Sequence, residues 1–164
     1  MPRHVPNHVE RSESAFRGAV QAIPSLHSHC CPGLQALQPA DKRCIRPAKG
    51  RCLTGSVNLD SALKPVYPAA PRWDYAIGIR SSSDEQVVWL EVHPASSRHV
   101  QEVLKKLRWL REWLQNEGLP LAELPQNGFF WVATRGHVAI TPHSRHAKQR
   151  AAQGLHGPVR VLRL

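Results

Sequence analysis

The sequence predicts one small α/β domain over residues 53–164, with a mixed sheet and flanking helices in the order α-β-β-α-β-β-α-β. Two short segments are strand-like, and one long segment repeats its apolar residues every three or four positions. All five tryptophans lie between Trp73 and Trp131, which marks this part of the chain as the one with a core. A segment of about 110 residues is long enough to bury a single core.

The first predicted elements are a short helix and a pair of strands. Asn58–Lys64 predicts one or two helical turns that end before Pro65. Trp73–Arg80 and Val87–His93 are strand-like, and a polar turn separates them. We expect the two segments to pair as an antiparallel hairpin.

The long apolar repeat predicts a helix that begins at Ser96 or Ser97 and runs to Asn116. Its leucines and valines recur at three- and four-residue intervals, so one face of the helix is expected to be buried. Trp109 and Trp113 flank that face. They are expected either to widen the core or to contact a partner subunit, as in a homodimer.

The last third of the chain predicts a second hairpin, a basic helix and a strand. Phe129–Thr134 and His137–Ile140 form the expected hairpin. Thr141 followed by proline begins a basic helix that runs to about Gln153. The final strand is expected over Val159–Leu164.

The first 52 residues have a different composition and no sustained apolar period. Six prolines interrupt their first 50 positions, so we expect residues 1–52 to be disordered. A second explanation is an extension wrongly read as coding, with the true start near Leu53 or Val57. The segment holds all four cysteines and two nearby histidines, His27 and His29. Their spacing lacks the close pairs of a structural zinc site, which favours incidental thiols.

The charge is strongly basic and unevenly distributed. Twenty-two Lys and Arg against 12 Asp and Glu give a net charge of +10. Residues 135–164 hold six basic residues and no acidic one. This balance predicts a nucleic-acid partner, with Arg145, Lys148 and Arg150 as the phosphate contacts.

The location of the protein is also expected from composition. No segment has the length and hydropathy of a membrane span, and the N-terminal residues lack a signal-peptide core. The sequence therefore predicts a soluble cytoplasmic protein with reduced cysteines and no membrane partner.

Two carboxylates and an imidazole are expected to converge on the predicted hairpin. A longer turn would put Asp74 opposite His93, and a shorter one would put it opposite Glu91. In both registers Asp74, Glu91 and His93 share a face, which we expect to be the face away from the core of the long helix. Oxygen ligands at such a separation suit Mg²⁺ or Mn²⁺.

These residues resemble the motif of the restriction-endonuclease-like, or PD-(D/E)XK, nuclease superfamily. Its pattern is an Asp early in one strand, then Glu-x-Lys in the next, followed by a helix packed on the sheet. Asp74 and Glu91 match the acidic positions. The resemblance implies a restriction-endonuclease-like fold, with Asp74 and Glu91 as metal ligands and the backbone carbonyl of Val92 as a third.

The chain departs from this pattern at one position, where His93 replaces the lysine. A neutral imidazole can orient or deprotonate water but lacks a fixed positive charge. Degenerate members of the superfamily supply the lysine from the following helix, where Lys105 and Lys106 are candidates. The expected catalytic set is therefore Asp74, Glu91, His93 and Lys106.

Three functions fit these observations. The leading one is a metal-dependent nuclease-like protein that acts on nucleic-acid phosphodiesters. The alternative is a non-catalytic module on the same fold that binds nucleic acid or another protein, since relatives with a broken motif can lose cleavage. In the third, the acids are ordinary solvated residues of a small domain.

Overall fold

The computed structural model describes residues 13–82, 84–133, 138 and 140–164. A 3-10 turn, Ser97–His99, leads into the longest helix, and none of the described helices is long and apolar enough to cross a membrane. The helices and strands in chain order are α1 (Ala15–Ala22), α2 (Pro39–Lys42), β1 (Ile45–Arg46), β2 (Arg51–Asn58), α3 (Leu59–Leu63), β3 (Tyr75–Ser81), β4 (Asp84–Val92), α4 (Val100–Gln115), α5 (Leu119–Ala122), β5 (Gln126–Val132), α6 (Arg145–Ala152), β6 (Leu155–Val159) and β7 (Leu162–Arg163).

A five-stranded mixed sheet in the order β2-β3-β4-β5-β6 forms the centre of the fold. The first three strands are antiparallel, whereas β4, β5 and β6 are parallel neighbours. The crossover through α4 makes β4 and β5 parallel, because a tight turn can join only antiparallel strands. The prediction of a small mixed sheet with flanking helices is confirmed.

The predicted second hairpin does not form in this sheet. The strand expected over Phe129–Thr134 is found as β5, Gln126–Val132, but β4 and β6 occupy both of its edges. Residues 134–137 and 139 of that prediction lie outside the described residues. The expected final strand is divided into β6 and β7, and β7 pairs with β1 in a separate parallel pair.

Both faces of the sheet are buried. Helices α1, α3 and α4 cover one face, where Trp73, Trp89 and Trp131 are completely buried. The other face carries Ile77 and Leu90. The side chains that cover this second face come from distant parts of the chain: Leu37, Ile45, Leu162 and Leu164.

Residues 13–52 fold as part of the domain, so the expectation of disorder is wrong for them. Phe16 and Val20 of α1 are completely buried in the same core as the apolar side chains of α4. Strand β2 begins at Arg51, before the expected domain boundary at residue 53. These residues form short pieces that each bury only a few side chains. Their order therefore depends on contacts with the sheet and not on a local repeat.

Glu85 attaches α1 to the sheet. Its carboxylate accepts hydrogen bonds from the hydroxyl of Ser14 at 2.6 Å and from the backbone N–H groups of Ala15 at 3.0 Å and Phe16 at 3.1 Å. Arg80 adds an ion pair at 2.9 Å. Burial alone would raise the pKa of Glu85, but these hydrogen bonds outweigh it and lower the pKa to about 2.

Helix α6 packs against α4 through polar side chains. The amide of Gln101 donates to Gln149 at 2.7 Å, and Arg111 donates to the carbonyl of Gln153 at 2.6 Å. The helix is capped by Ser144 and not by Thr141, since the Ser144 hydroxyl accepts from the N–H of Ala147. The basic helix is thereby fixed alongside α4.

Candidate active site

Asp74 and Glu91 lie side by side on adjacent strands. Ser81 pairs with Asp84, so the turn is the shorter of the two expected, and Tyr75 pairs with Leu90. Continuing this register by one residue brings Asp74 opposite Glu91. The structure thus brings together the two acids that the sequence singled out.

Backbone hydrogen bonds fix one oxygen of each carboxylate. The N–H of Val92 donates to Oδ2 of Asp74 at 2.9 Å. The N–H of Asp74 donates to Oε2 of Glu91 at 3.2 Å. Each carboxylate is therefore held by the other's strand, and its second oxygen takes no part in these backbone hydrogen bonds.

The acids lie on the α4 side of the sheet, which corrects the expectation that they face away from the long helix. Tyr75 and Leu90, the neighbours of the two acids along their strands, belong to the opposite core. Both faces of the hairpin are apolar and buried, so hydrophobic alternation did not reveal which one α4 would cover.

Lys106 of α4 reaches both carboxylates. Its Nζ donates to Oδ1 of Asp74 at 3.1 Å and to Oε1 of Glu91. Its side chain is mostly buried, whereas Lys105 is exposed. Of the two candidate lysines, Lys106 is therefore the one that lies in the site.

Asp74, Glu91 and Lys106 form a triad, in which one cation only partly neutralises two buried acids. Burial and the nearby charge of Asp74 raise the pKa of Glu91 well above its usual value, although Lys106 opposes the shift. Burial raises the pKa of Asp74 as well. Burial by itself would lower the pKa of Lys106, but Glu91 and Asp74 outweigh it and raise that pKa. With both acids ionised, the triad has one more negative charge than positive.

His93 lies at the edge of the triad and connects it to α4. Its Nδ1 is 3.8 Å from Oε1 of Glu91, and its Nε2 is 3.1 Å from Oε2 of Glu102. Burial lowers the pKa of the imidazole, even though the neighbouring Glu102 opposes that shift. A neutral ring at this position is able to accept a proton from water.

Val92 contributes to the site through its backbone. Its N–H orients Asp74, and the residue itself is half-buried. The use of its carbonyl as a third metal ligand stays a prediction.

The three basic residues predicted to contact phosphates differ in exposure. Arg145 and Lys148 are exposed on α6. Arg150 is half-buried and donates to the carbonyl of Leu155 at 3.4 Å. Arg145 and Lys148 are thus available to a partner, whereas Arg150 also stabilises the junction of α6 with β6.

Sequence reasoning missed two residues beside the triad, His99 and Glu102. Their donor atoms and that of His93 lie within 4.8 Å of one another. The sequence contained a signal for this group, because a His and a Glu three positions apart at a helix start project from one face.

The N-terminal cysteines are free thiols, and Cys52 is the exposed one. In the part of the chain that the structure describes, the one group of three metal-ligand side chains is His93, His99 and Glu102. Trp113 is buried in the core, and Trp109 stacks on it with ring centroids 6.4 Å apart.

One carboxylate oxygen of Asp74 and one of Glu91 point at the ammonium group of Lys106. The arrangement can serve as a site for a divalent ion, or as an ion triad in which Lys106 alone balances part of the acids' charge. Comparisons of the chain with models of protein families, with curated proteins and with solved structures give no match.

Proposed function

We propose that the chain is a metal-dependent nuclease-like protein, with a restriction-endonuclease-like fold, that acts on nucleic-acid phosphodiesters. The observation that carries the proposal is the contact of Lys106 with both Asp74 and Glu91. An Asp, a Glu and a Lys then meet at one hairpin, which is the combination that the resemblance requires. The departure at His93 is compensated from the following helix.

The donor set suits a hard divalent cation. Asp74 and Glu91 each keep one oxygen on a backbone N–H, and their other oxygens both accept from Nζ of Lys106, close enough together for one ion to reach both. Carboxylate oxygens are the ligands that Mg²⁺ and Mn²⁺ prefer, and Val92 would add its carbonyl. An ion bound there would activate water and stabilise charge on a phosphoryl oxygen.

The remaining residues of the set have separate tasks in this proposal. Lys106 carries a positive charge that can stabilise the oxygen anion developing during cleavage. His93 is held between Glu91 and Glu102 with a lowered pKa, so its ring can orient the attacking water and accept its proton.

Helix α6 would supply the contact with the nucleic-acid backbone. Arg145 and Lys148 are exposed, and Gln149 joins their helix to the turn of α4 that carries Glu102. The absence of acidic residues from position 135 onward leaves the field of this region positive.

The proposal is tested by incubating the full chain with single- and double-stranded DNA and RNA in Mg²⁺ or Mn²⁺. Cleavage is expected with wild type and is expected to fall by about a hundredfold or more in Glu91→Gln, Asp74→Asn and Lys106→Met. Glu112→Gln is the matched control, since Glu112 is an exposed acid on the same helix. Equal activity in wild type and Glu91→Gln would identify a contaminant and refute the proposal.

A specific observation also favours the non-catalytic alternative, a module that binds nucleic acid or a protein. Lys106 already neutralises part of the charge of both acids, so the triad is stable without another cation. In that case the wild-type chain binds nucleic acid in a salt-dependent way, but Mn²⁺ causes neither cleavage nor thermal stabilisation.

A further inference from the structure

A second cluster of ligand side chains lies next to the acid pair. His93, His99 and Glu102 each offer one donor atom, and these atoms lie within 4.8 Å of one another. The hydrogen bonds of the triad join only Asp74, Glu91 and Lys106, and neither His99 nor Glu102 takes part in them. The cluster is therefore a separate group of donors that shares an edge with the triad through His93.

The backbone positions of the three residues are well fixed. His93 extends the pairing of β4 with β5, because its N–H donates to the carbonyl of Val132 at 3.0 Å. Its own carbonyl accepts from the indole of Trp131 at 2.9 Å. His99 and Glu102 lie three positions apart where the 3-10 turn becomes α4, so both project from one side of the helix.

The Nδ1 atoms of the two imidazoles have different surroundings. The hydroxyl of Ser96 lies 2.7 Å from Nδ1 of His99, whereas Oε1 of Glu91 is 3.8 Å from Nδ1 of His93, beyond hydrogen-bond distance. The Ser96 contact on one nitrogen of His99 orients its other nitrogen toward a metal. Nε2 of His93 is already directed at Oε2 of Glu102, 3.1 Å away.

We propose that His93, His99 and Glu102 form a binding site for a transition-metal dication such as Zn²⁺ or Co²⁺. Two imidazoles and a carboxylate are the donor set of these ions, unlike the all-oxygen set of Asp74 and Glu91. The Glu102 side chain is 58% exposed, so it is free to adjust to an ion. Three protein ligands would leave the fourth position of a tetrahedral ion to water. The proposal does not depend on the nuclease function, and an ion bound to His93 would occupy the imidazole nitrogen that would otherwise be able to accept a proton from water.

The test is a titration of the full chain with Co²⁺, followed by visible absorption and calorimetry, with excess Mg²⁺ present to fill an all-oxygen site. We expect one equivalent to bind wild type, with a spectrum free of thiolate-to-cobalt charge transfer. His99→Ala and Glu102→Gln are expected to weaken binding by at least about tenfold, since loss of even an orienting partner has that effect.

Matched controls separate this site from its neighbours. His29→Ala and Glu112→Gln remove exposed side chains of the same types elsewhere and should bind Co²⁺ like wild type. Asp74→Asn should keep Co²⁺ binding even though it impairs the proposed cleavage, so the two proposals can fail independently. Circular dichroism establishes that each variant is folded, and the exposed Glu102 can be replaced without loss of core packing.

Three outcomes would overturn the inference. In the first, His99→Ala and Glu102→Gln bind Co²⁺ as tightly as wild type. In the second, a thiolate charge-transfer band places the ion on a cysteine. In the third, Asp74→Asn weakens Co²⁺ binding more than Glu102→Gln does, which would assign the ion to the acid pair.

Discussion

The Nζ atom of Lys106 lies 3.1 Å from Oδ1 of Asp74, although 32 residues separate the two in the chain. The same nitrogen donates to Glu91, so one ammonium group partly neutralises two carboxylates on neighbouring strands. Burial disfavours charge on either acid, and the folded state therefore depends on this cation.

Replacement of Lys106 by methionine is expected to lower the free energy of unfolding at neutral pH by about 3–5 kcal/mol, because it leaves buried charge unpaired. Lys105→Met, at an exposed position on the same helix, should change it by less than about 0.5 kcal/mol. Urea denaturation measures both values. Mn²⁺ should raise the melting temperature of Lys106→Met more than that of wild type, and an equal small loss in both variants would contradict the triad's importance.

Loss of the Glu85 carboxylate is expected to destabilise the protein in a pH-dependent way. Its pKa of about 2 in the folded state lies below the ordinary value of 4.5, so its contribution is present above pH 4.5 and disappears as the pH falls toward 2. Glu85→Gln should therefore reduce stability at pH 7, by on the order of 3 kcal/mol, and much less near pH 2. Denaturant unfolding of wild type and Glu85→Gln at both pH values gives the free energies of unfolding, and Glu123→Gln, at an exposed position, is the control. A difference that stays constant with pH would refute this linkage.

Two glycine substitutions test whether residues 13–52 are part of the fold. A Cβ on Gly78 would lie 2.5 Å from Cγ of Phe16 and 2.4 Å from Oγ1 of Thr54, so Gly78→Ala should destabilise by about 1–3 kcal/mol. Gly18 lies in α1 with open space around its Cβ position, and Gly18→Ala should stabilise by about 0.5–1 kcal/mol. If α1 does not form, Gly18→Ala will leave the melting temperature unchanged.

The contact of α6 with nucleic acid predicts a change in salt dependence. Arg145→Ala combined with Lys148→Ala should reduce the slope of log K against log salt by about 2, one for each lost phosphate contact. Lys42→Ala combined with Lys49→Ala removes the same charge from exposed positions in the part of the chain that covers the other face of the sheet. Fluorescence anisotropy over a salt series measures the slopes. Equal slopes for the two double variants would show that net charge alone is responsible.

The hairpin and the long helix could be predicted from sequence because their patterns are strong. Alternation defined β3 and β4 to within a few residues, and the leucine and valine repeat defined α4. The pairing of Asp74 with Glu91 was one of two registers allowed, and the turn length decided between them. The choice of Lys106 over Lys105 needed the packing of α4, which no local pattern contains.

The remaining differences have a common physical cause. Ala76 and Gly78 lie on the same face of β3 as Asp74, and the small size of Gly78 leaves room for Phe16 of α1. Phe16 is buried only because Gly78 lacks a side chain. Such complementarity between distant residues is invisible to periodicity, and the order of residues 13–52 depends on it.

The parallel pair of β1 and β7 joins residues more than a hundred positions apart. During synthesis, Ile45 can pair with Leu162 only after Leu162 has left the ribosome. The side chains that cover the second face of the sheet cannot all be in place before then. Until then Ile77 and Leu90 remain accessible in the nascent chain. Closure over so long a loop slows folding and favours aggregation, so recombinant yield should rise at low temperature or with added chaperones.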